Sequence, residues 1–157
     1  MLTALLIFWP FLAVLILLAL DARSAKIWAL AASVVEFVFS IFVLVQFEPN
    51  AEYQFVLNYP WIASLGITFS VGIDGISLLL VLLTTLLTPL IILSSFKNNY
   101  EKPVSFYSLI LFMEMALVGV FAALDGFLFY VFWEMALIPI YFICLRWGGV
   151  NRGAVTL

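Results

Sequence analysis

Apolar residues run almost unbroken along this chain, and short polar clusters interrupt them at intervals. The apolar stretches fall at Leu2–Leu20, Ile27–Phe47, Gly75–Phe96, Val104–Leu124 and Gly126–Leu145. Each is close to the ~20 residues that a helix needs to cross a hydrocarbon core. This spacing predicts an all-α integral membrane protein of about five transmembrane helices. The first run has no Lys or Arg before it and no A-x-A-like site directly after it, so it reads as a span rather than as a secretory leader.

One segment breaks the pattern. Between the second and third runs, Ile67-Thr-Phe-Ser-Val71 alternates with period two, and Gln54–Leu57 favours strand, with Asn58, Pro60 and Gly66 between them. A short surface hairpin is one reading and an irregular loop capped by aromatics is the other. With no internal repeat or linker in view, residues 1–157 read as one bundle.

The charges give the spans a direction. Arg23 and Lys26 are expected in the first loop, Lys97 and Lys102 in the third, and Arg146 and Arg152 after the fifth run; these are all six basic residues. Five alternating spans put them on one side, so the positive-inside rule predicts an N-terminus outside and a cytoplasmic C-terminal end. Trp28, Tyr100 and Trp147 then mark the inner interface, and Tyr53, Tyr59 and Trp61 the outer one.

Composition agrees. The chain is 67% hydrophobic and 10% charged, and its net charge is −3; a soluble domain carries about a quarter charged residues. There is no basic patch for nucleic acid. Histidine is absent and cysteine occurs once, at Cys144, which leaves redox or metal chemistry in this chain without its usual ligands. Cys144 and Trp133 are expected to pack inside the bundle.

Against this background three glutamates stand out within predicted spans: Glu36, Glu114 and Glu134. A carboxyl facing lipid costs several kcal/mol or more, so each is expected to face protein or water and is a candidate for moving protons. Glu134 has the richest surroundings, with Tyr130 one turn before it and Tyr141 two turns after it on the same face. Pro139 frees the Met135 carbonyl and tends to bend the helix, which can admit water. Glu114 and Glu134 flank the turn at Asp125-Gly126 and lie roughly 13–17 Å below it at helical rise. If their helices present them to each other they would titrate as a pair; a structural hydrogen bond is the plain alternative for each.

Glu36 is the weakest of the three, because its helix carries no evident polar support. Asp74 and Asp125 read as helix N-caps. Gly119 with Ala122-Ala123 reads as close helix packing. Thr84, Thr85 and Thr88 are placed to satisfy a carbonyl freed by Pro89. No Lys or Arg lies within a span, so Glu134 has no cationic partner in this chain.

The segments Val71-Gly-Ile-Asp74-Gly-Ile-Ser-Leu, Leu82-Leu-Thr-Thr-Leu-Leu-Thr-Pro89, Ala123-Leu-Asp125 through Phe132-Trp-Glu134-Met-Ala-Leu-Ile-Pro139-Ile-Tyr141, and Arg146-Trp-Gly-Gly149 resemble subunit M of the proton-translocating NADH:quinone oxidoreductase, respiratory complex I. The antiporter-like superfamily shares a weaker version of these motifs. The resemblance implies an N-terminal part of a membrane-arm subunit that serves a translocase. It also implies that Glu134 is the key proton-transfer carboxylate; the residues themselves set Glu114 with it as a second proton-transfer candidate and Glu36, Tyr130, Tyr141 and Pro139 as auxiliaries. A lysine on a later helix is its implied partner.

NADH, FMN, iron–sulfur clusters and quinone would belong to other subunits, leaving no cofactor or metal in this chain. Neighbouring antiporter-like subunits and lipid are the implied partners, with no nucleic acid. A bacterial inner membrane is the implied location, and a mitochondrial inner membrane the alternative. Rival readings are a subunit of a cation/proton antiporter or membrane-bound hydrogenase, or a non-pumping assembly piece.

Overall fold

The computed structural model describes residues 1–49, 52–98 and 100–149. Arg152, counted above among the basic residues, lies outside them. Five helices form in the order α1 (Leu2–Leu18), α2 (Ala22–Gln46), α3 (Gly75–Ser95), α4 (Pro103–Ala122) and α5 (Gly126–Trp147). Strands β1 (Gln54–Ile62) and β2 (Ile67–Ile73) lie between α2 and α3.

The helices α2 to α5 are each long and apolar enough to cross a membrane, and α1 is a shorter apolar helix of 17 residues. The helix α2 begins earlier than its apolar run, so Arg23 and Lys26 sit in its first turns rather than in a loop. With Lys97, Lys102 and Arg146 they mark one end of the bundle, where the Lys26 ammonium donates to the Asn98 carbonyl at 3.5 Å.

The sequence supports these boundaries through capping. Asp74 accepts from the Ser77 amide at 2.7 Å while the Ser77 hydroxyl meets the Asp74 amide at 2.8 Å, a reciprocal capping box that starts α3. Asp125 accepts from the amides of Phe127 at 2.9 Å and Leu128 at 3.1 Å and starts α5. These backbone donors hold both carboxyls below their ordinary range. Both aspartates are therefore caps, as the sequence suggests.

The hairpin is real, and longer than its alternating core. Its strands are antiparallel, with Leu57 opposite Val71 and Pro60 opposite Thr68. Asn58 and Pro60 lie inside β1 rather than in a turn; a two-stranded sheet has only edges, where the missing proline donor is tolerated. Gly66 turns the chain at φ 68°, a left-handed conformation that suits glycine. The hairpin seals one end of the bundle. Thr3 Oγ1 donates to the Phe55 carbonyl at 2.7 Å, the Leu124 amide to the Ser70 carbonyl at 2.8 Å, and Thr68 lies 3.4 Å from the Asp125 carboxyl.

Helix α4 is the hub and packs against each of the other four helices. Its seam with α5 is tight because Gly119 lies under the Phe132 ring, where a β-carbon would collide. This is the close packing expected of a small residue. The buried side chains form two apolar clusters. One, near the hairpin, holds Ile7, Val43, Val81 and Met115; the other, toward the basic end, holds Ala13, Ala32, Ile92 and Leu111. What lies between them is polar.

Candidate functional site: three carboxyls in two places

Helix α5 contributes Leu128, Phe132, Ala136 and Pro139 to the interior. These positions recur every three to four residues and define its inward stripe. Glu134 is on the opposite side and exposed, together with Tyr130, Tyr141, Leu137 and Ile138. The Tyr130 hydroxyl is within reach of the Glu134 carboxyl, one helical turn away. The sequence grouping of Tyr130, Glu134 and Tyr141 on one face therefore holds, and that face is turned away from the other four helices.

Pro139 is buried on the inward stripe, on the far side of α5 from Glu134. Two expectations change here. Trp133 is half exposed and stacks on Phe129 at 6.1 Å rather than packing in the bundle. Cys144 is exposed rather than in the core. Their apolar character suited an interior equally well, but the inward stripe of α5 is narrow.

Glu114 is the reverse case. It lies on the enclosed side of α4 with 1% of its surface exposed, and its carboxyl oxygens accept no hydrogen bond from any described residue. It does not meet Glu134. Its neighbours are Thr88 of α3 and Glu36 of α2, and the two carboxyls are within electrostatic reach of each other. The Thr88 hydroxyl can turn toward Glu114, although as placed it donates to the Thr84 carbonyl at 3.0 Å.

Glu36 is 0% exposed and likewise accepts no hydrogen bond from the described residues. Its support was missed in the sequence. Ser33 and Ser40 lie three residues before and four after it, on the same buried stripe of α2. Ser40 Oγ meets Thr85 Oγ1 at 2.8 Å, joining α2 to α3. The threonines near Pro89 also act differently from expectation: Thr84, Thr85 and Thr88 bond to the carbonyls of Leu80, Leu82 and Thr84, not to the Thr85 carbonyl that Pro89 frees.

The carboxyls thus occupy two places. One is an outward face on α5; the other is a buried layer across α2, α3 and α4. Among the described residues no group of three or more His, Cys, Asp or Glu is placed to hold a metal.

A bundle of long apolar helices that carries acids at mid-depth is a polytopic membrane protein suited to proton or ion handling. Comparison with known proteins narrows the class. No family model matches the chain. The chain is 37% identical over 155 residues to NADH-quinone oxidoreductase subunit M of Rickettsia conorii, which covers 93% of this chain and 31% of that protein. It is 45% identical over 132 residues to subunit M of Rhodobacter capsulatus, covering 83% of this chain and 25% of the relative. It is also 45% identical over 114 residues to F(420)H(2) dehydrogenase subunit M of Methanosarcina mazei, covering 72% and 23%.

Among solved structures, respiratory complex I from Thermus thermophilus with bound NADH matches 99% of this chain and 31% of its counterpart there. The TM-score is 0.84 and the identity 26%. The chain belongs to the subunit M family of the NADH-quinone oxidoreductases. It spans between 23% and 32% of the length of the curated relatives it matches.

Proposed function

We propose that this chain serves as part of a membrane-arm subunit of an NADH:quinone oxidoreductase, and that Glu134 carries a proton in its translocation pathway. The observation behind this reading is the outward placement of Glu134 with Tyr130 on α5. A carboxyl kept at mid-span on a face that its own bundle leaves open is arranged to work with groups brought by other protein. The Tyr130 hydroxyl, within reach of the carboxylate, can steady it by turning to donate to it. An approaching cation favours the ionised form and releases the proton, and its withdrawal lets the proton return. Arg23 and Lys26 of α2 and Arg146 of α5 lie at helix ends rather than at mid-span, so that cation is one brought by other protein.

The redox groups belong to other subunits of the complex, with which this chain assembles in the bacterial inner membrane; neighbouring antiporter-like subunits are among them. A second reading keeps the proton pathway and changes the electron donor. It is favoured by the Methanosarcina mazei relative, whose name specifies an F(420)H(2) dehydrogenase.

The test is proton pumping per NADH oxidised in membranes carrying Glu134→Gln in the full subunit, with assembly followed in parallel. The expected result is an assembled complex that pumps several-fold less per electron. Normal pumping by assembled complex would overturn the assignment of Glu134.

A further inference from the structure

The polar layer between the two apolar clusters has a consistent construction. On α2 it holds Glu36 and Ser40, between Ala32 and Val43; on α3 it holds Thr85 and Thr88, between Val81 and Ile92; on α4 it holds Glu114, between Leu111 and Met115. All five polar residues are nine-tenths or more buried. The hydroxyls have partners in Ser40–Thr85 and in nearby carbonyls, whereas the four carboxyl oxygens accept nothing from the described residues. Buried polar atoms are nearly always satisfied, so these four oxygens call for a ligand.

Charge decides which ligand. Two ionised carboxylates with no cation in a low-dielectric interior are very costly. The described basic residues lie at one end of the bundle, away from this layer. The titratable groups facing the layer are Glu36 from α2 and Glu114 from α4. The described residues of α1 and α3 contribute none, and α5 turns Tyr130, Glu134 and Tyr141 outward. The layer brings together two carboxyls, and no group of three or more His, Cys, Asp or Glu gathers among the described residues, which leaves a metal ion short of the roughly six or more oxygen ligands that a hard cation takes. Protons need no such space, and a neutral carboxyl both donates and accepts, so a bridging water completes it.

We propose that Glu36 and Glu114 form a proton-binding site enclosed by α2, α3 and α4, separate from Glu134, which holds its protons as a neutral, water-bridged acid pair. The site is independent of the reading given to Glu134, and its test is independent too.

The test is infrared absorption of protonated carboxyl groups in purified complex containing the full subunit, in light and heavy water at neutral pH. Native complex, Glu36→Gln, Glu114→Gln, their double variant and Glu134→Gln are compared. The expected result is that each single variant removes one protonated-carboxyl band and displaces the other, and that the double removes both. Glu134→Gln leaves both bands in place. Should a glutamine variant fail to assemble, Glu36→Asp and Glu114→Asp must each move a band. Bands untouched by every assembled Glu36 and Glu114 variant mean ionised groups, and loss of one band without displacement of the other means two unconnected acids. Either result overturns the proposal.

Discussion

Glu134 and Glu114 lie at matching depth on neighbouring helices and yet occupy opposite environments. Glu114 is sealed within the bundle beside Glu36 and hydroxyl-bearing residues, whereas Glu134 projects from a face that no other described helix covers. The difference shows that depth in a membrane does not define a carboxyl's chemistry; the face does. An enclosed acid is set by its own bundle, and an outward one by whatever packs against it. In soluble proteins exposure means water, but on a membrane helix it means lipid or another protein. A carboxyl tolerates only the second at reasonable cost.

The largest effect on this division is expected at the seam that orients α5. Gly119→Leu would drive a side chain into the Phe132 ring. Overpacking of this kind costs about 1–3 kcal/mol, and the expected outcome is a marked loss of assembled subunit in native gels. Gly119→Ala should be milder, since Phe132 can shift.

A smaller effect is expected on the outward face itself. Tyr130→Phe removes the hydroxyl beside Glu134 but leaves the acid and the packing. Pumping per electron should fall part of the way toward the level of Glu134→Gln with assembly unchanged; a loss as deep as that of Glu134→Gln would make Tyr130 a proton carrier in its own right. Smaller again is Ser40→Ala, which breaks the hydroxyl contact to Thr85. The expected loss is about 0.5–1.5 kcal/mol of stability, read by thermal unfolding in detergent, with pumping retained.

The smallest effect concerns the hairpin end and its pH dependence. Asp74 and Asp125 are held below the ordinary value of 3.8 by the amides they cap. Groups with a lowered folded-state value stabilise the fold above the unfolded value, and this contribution is lost as pH falls through the folded one. Thermal stability of the native subunit should therefore hold from neutrality to about pH 4 and decline below it. In Asp125→Ala the decline should be shallower, starting from a lower plateau.

Much of this architecture was legible in the sequence. Span length located the helices, Asp74 and Asp125 announced two starts, Gly119 announced a tight crossing, and alternation around Phe69 announced β2. Faces were harder to read, for a physical reason. In a soluble helix polar residues mark the outside, but here inside and outside are both apolar, so periodicity carries little sign. Trp133 and Cys144 were accordingly placed inward, and Glu114 was left free to face Glu134. The support for Glu36 could have been found, because Ser33 and Ser40 sit at the i−3 and i+4 positions that share its face. Pro60 hid the full length of β1 because its penalty inside a sheet vanishes at an edge.

The most direct test of this account asks what covers the face of Glu134. A photoreactive amino acid in place of Tyr141, in the full subunit within assembled complex, samples that face. Leu90, exposed on α3, serves as the reference position. The account predicts adducts to protein from position 141, whether to the same subunit or to another of the complex. Adducts to lipid alone from position 141 would contradict it, since a carboxyl bathed in hydrocarbon could not carry the role assigned to Glu134.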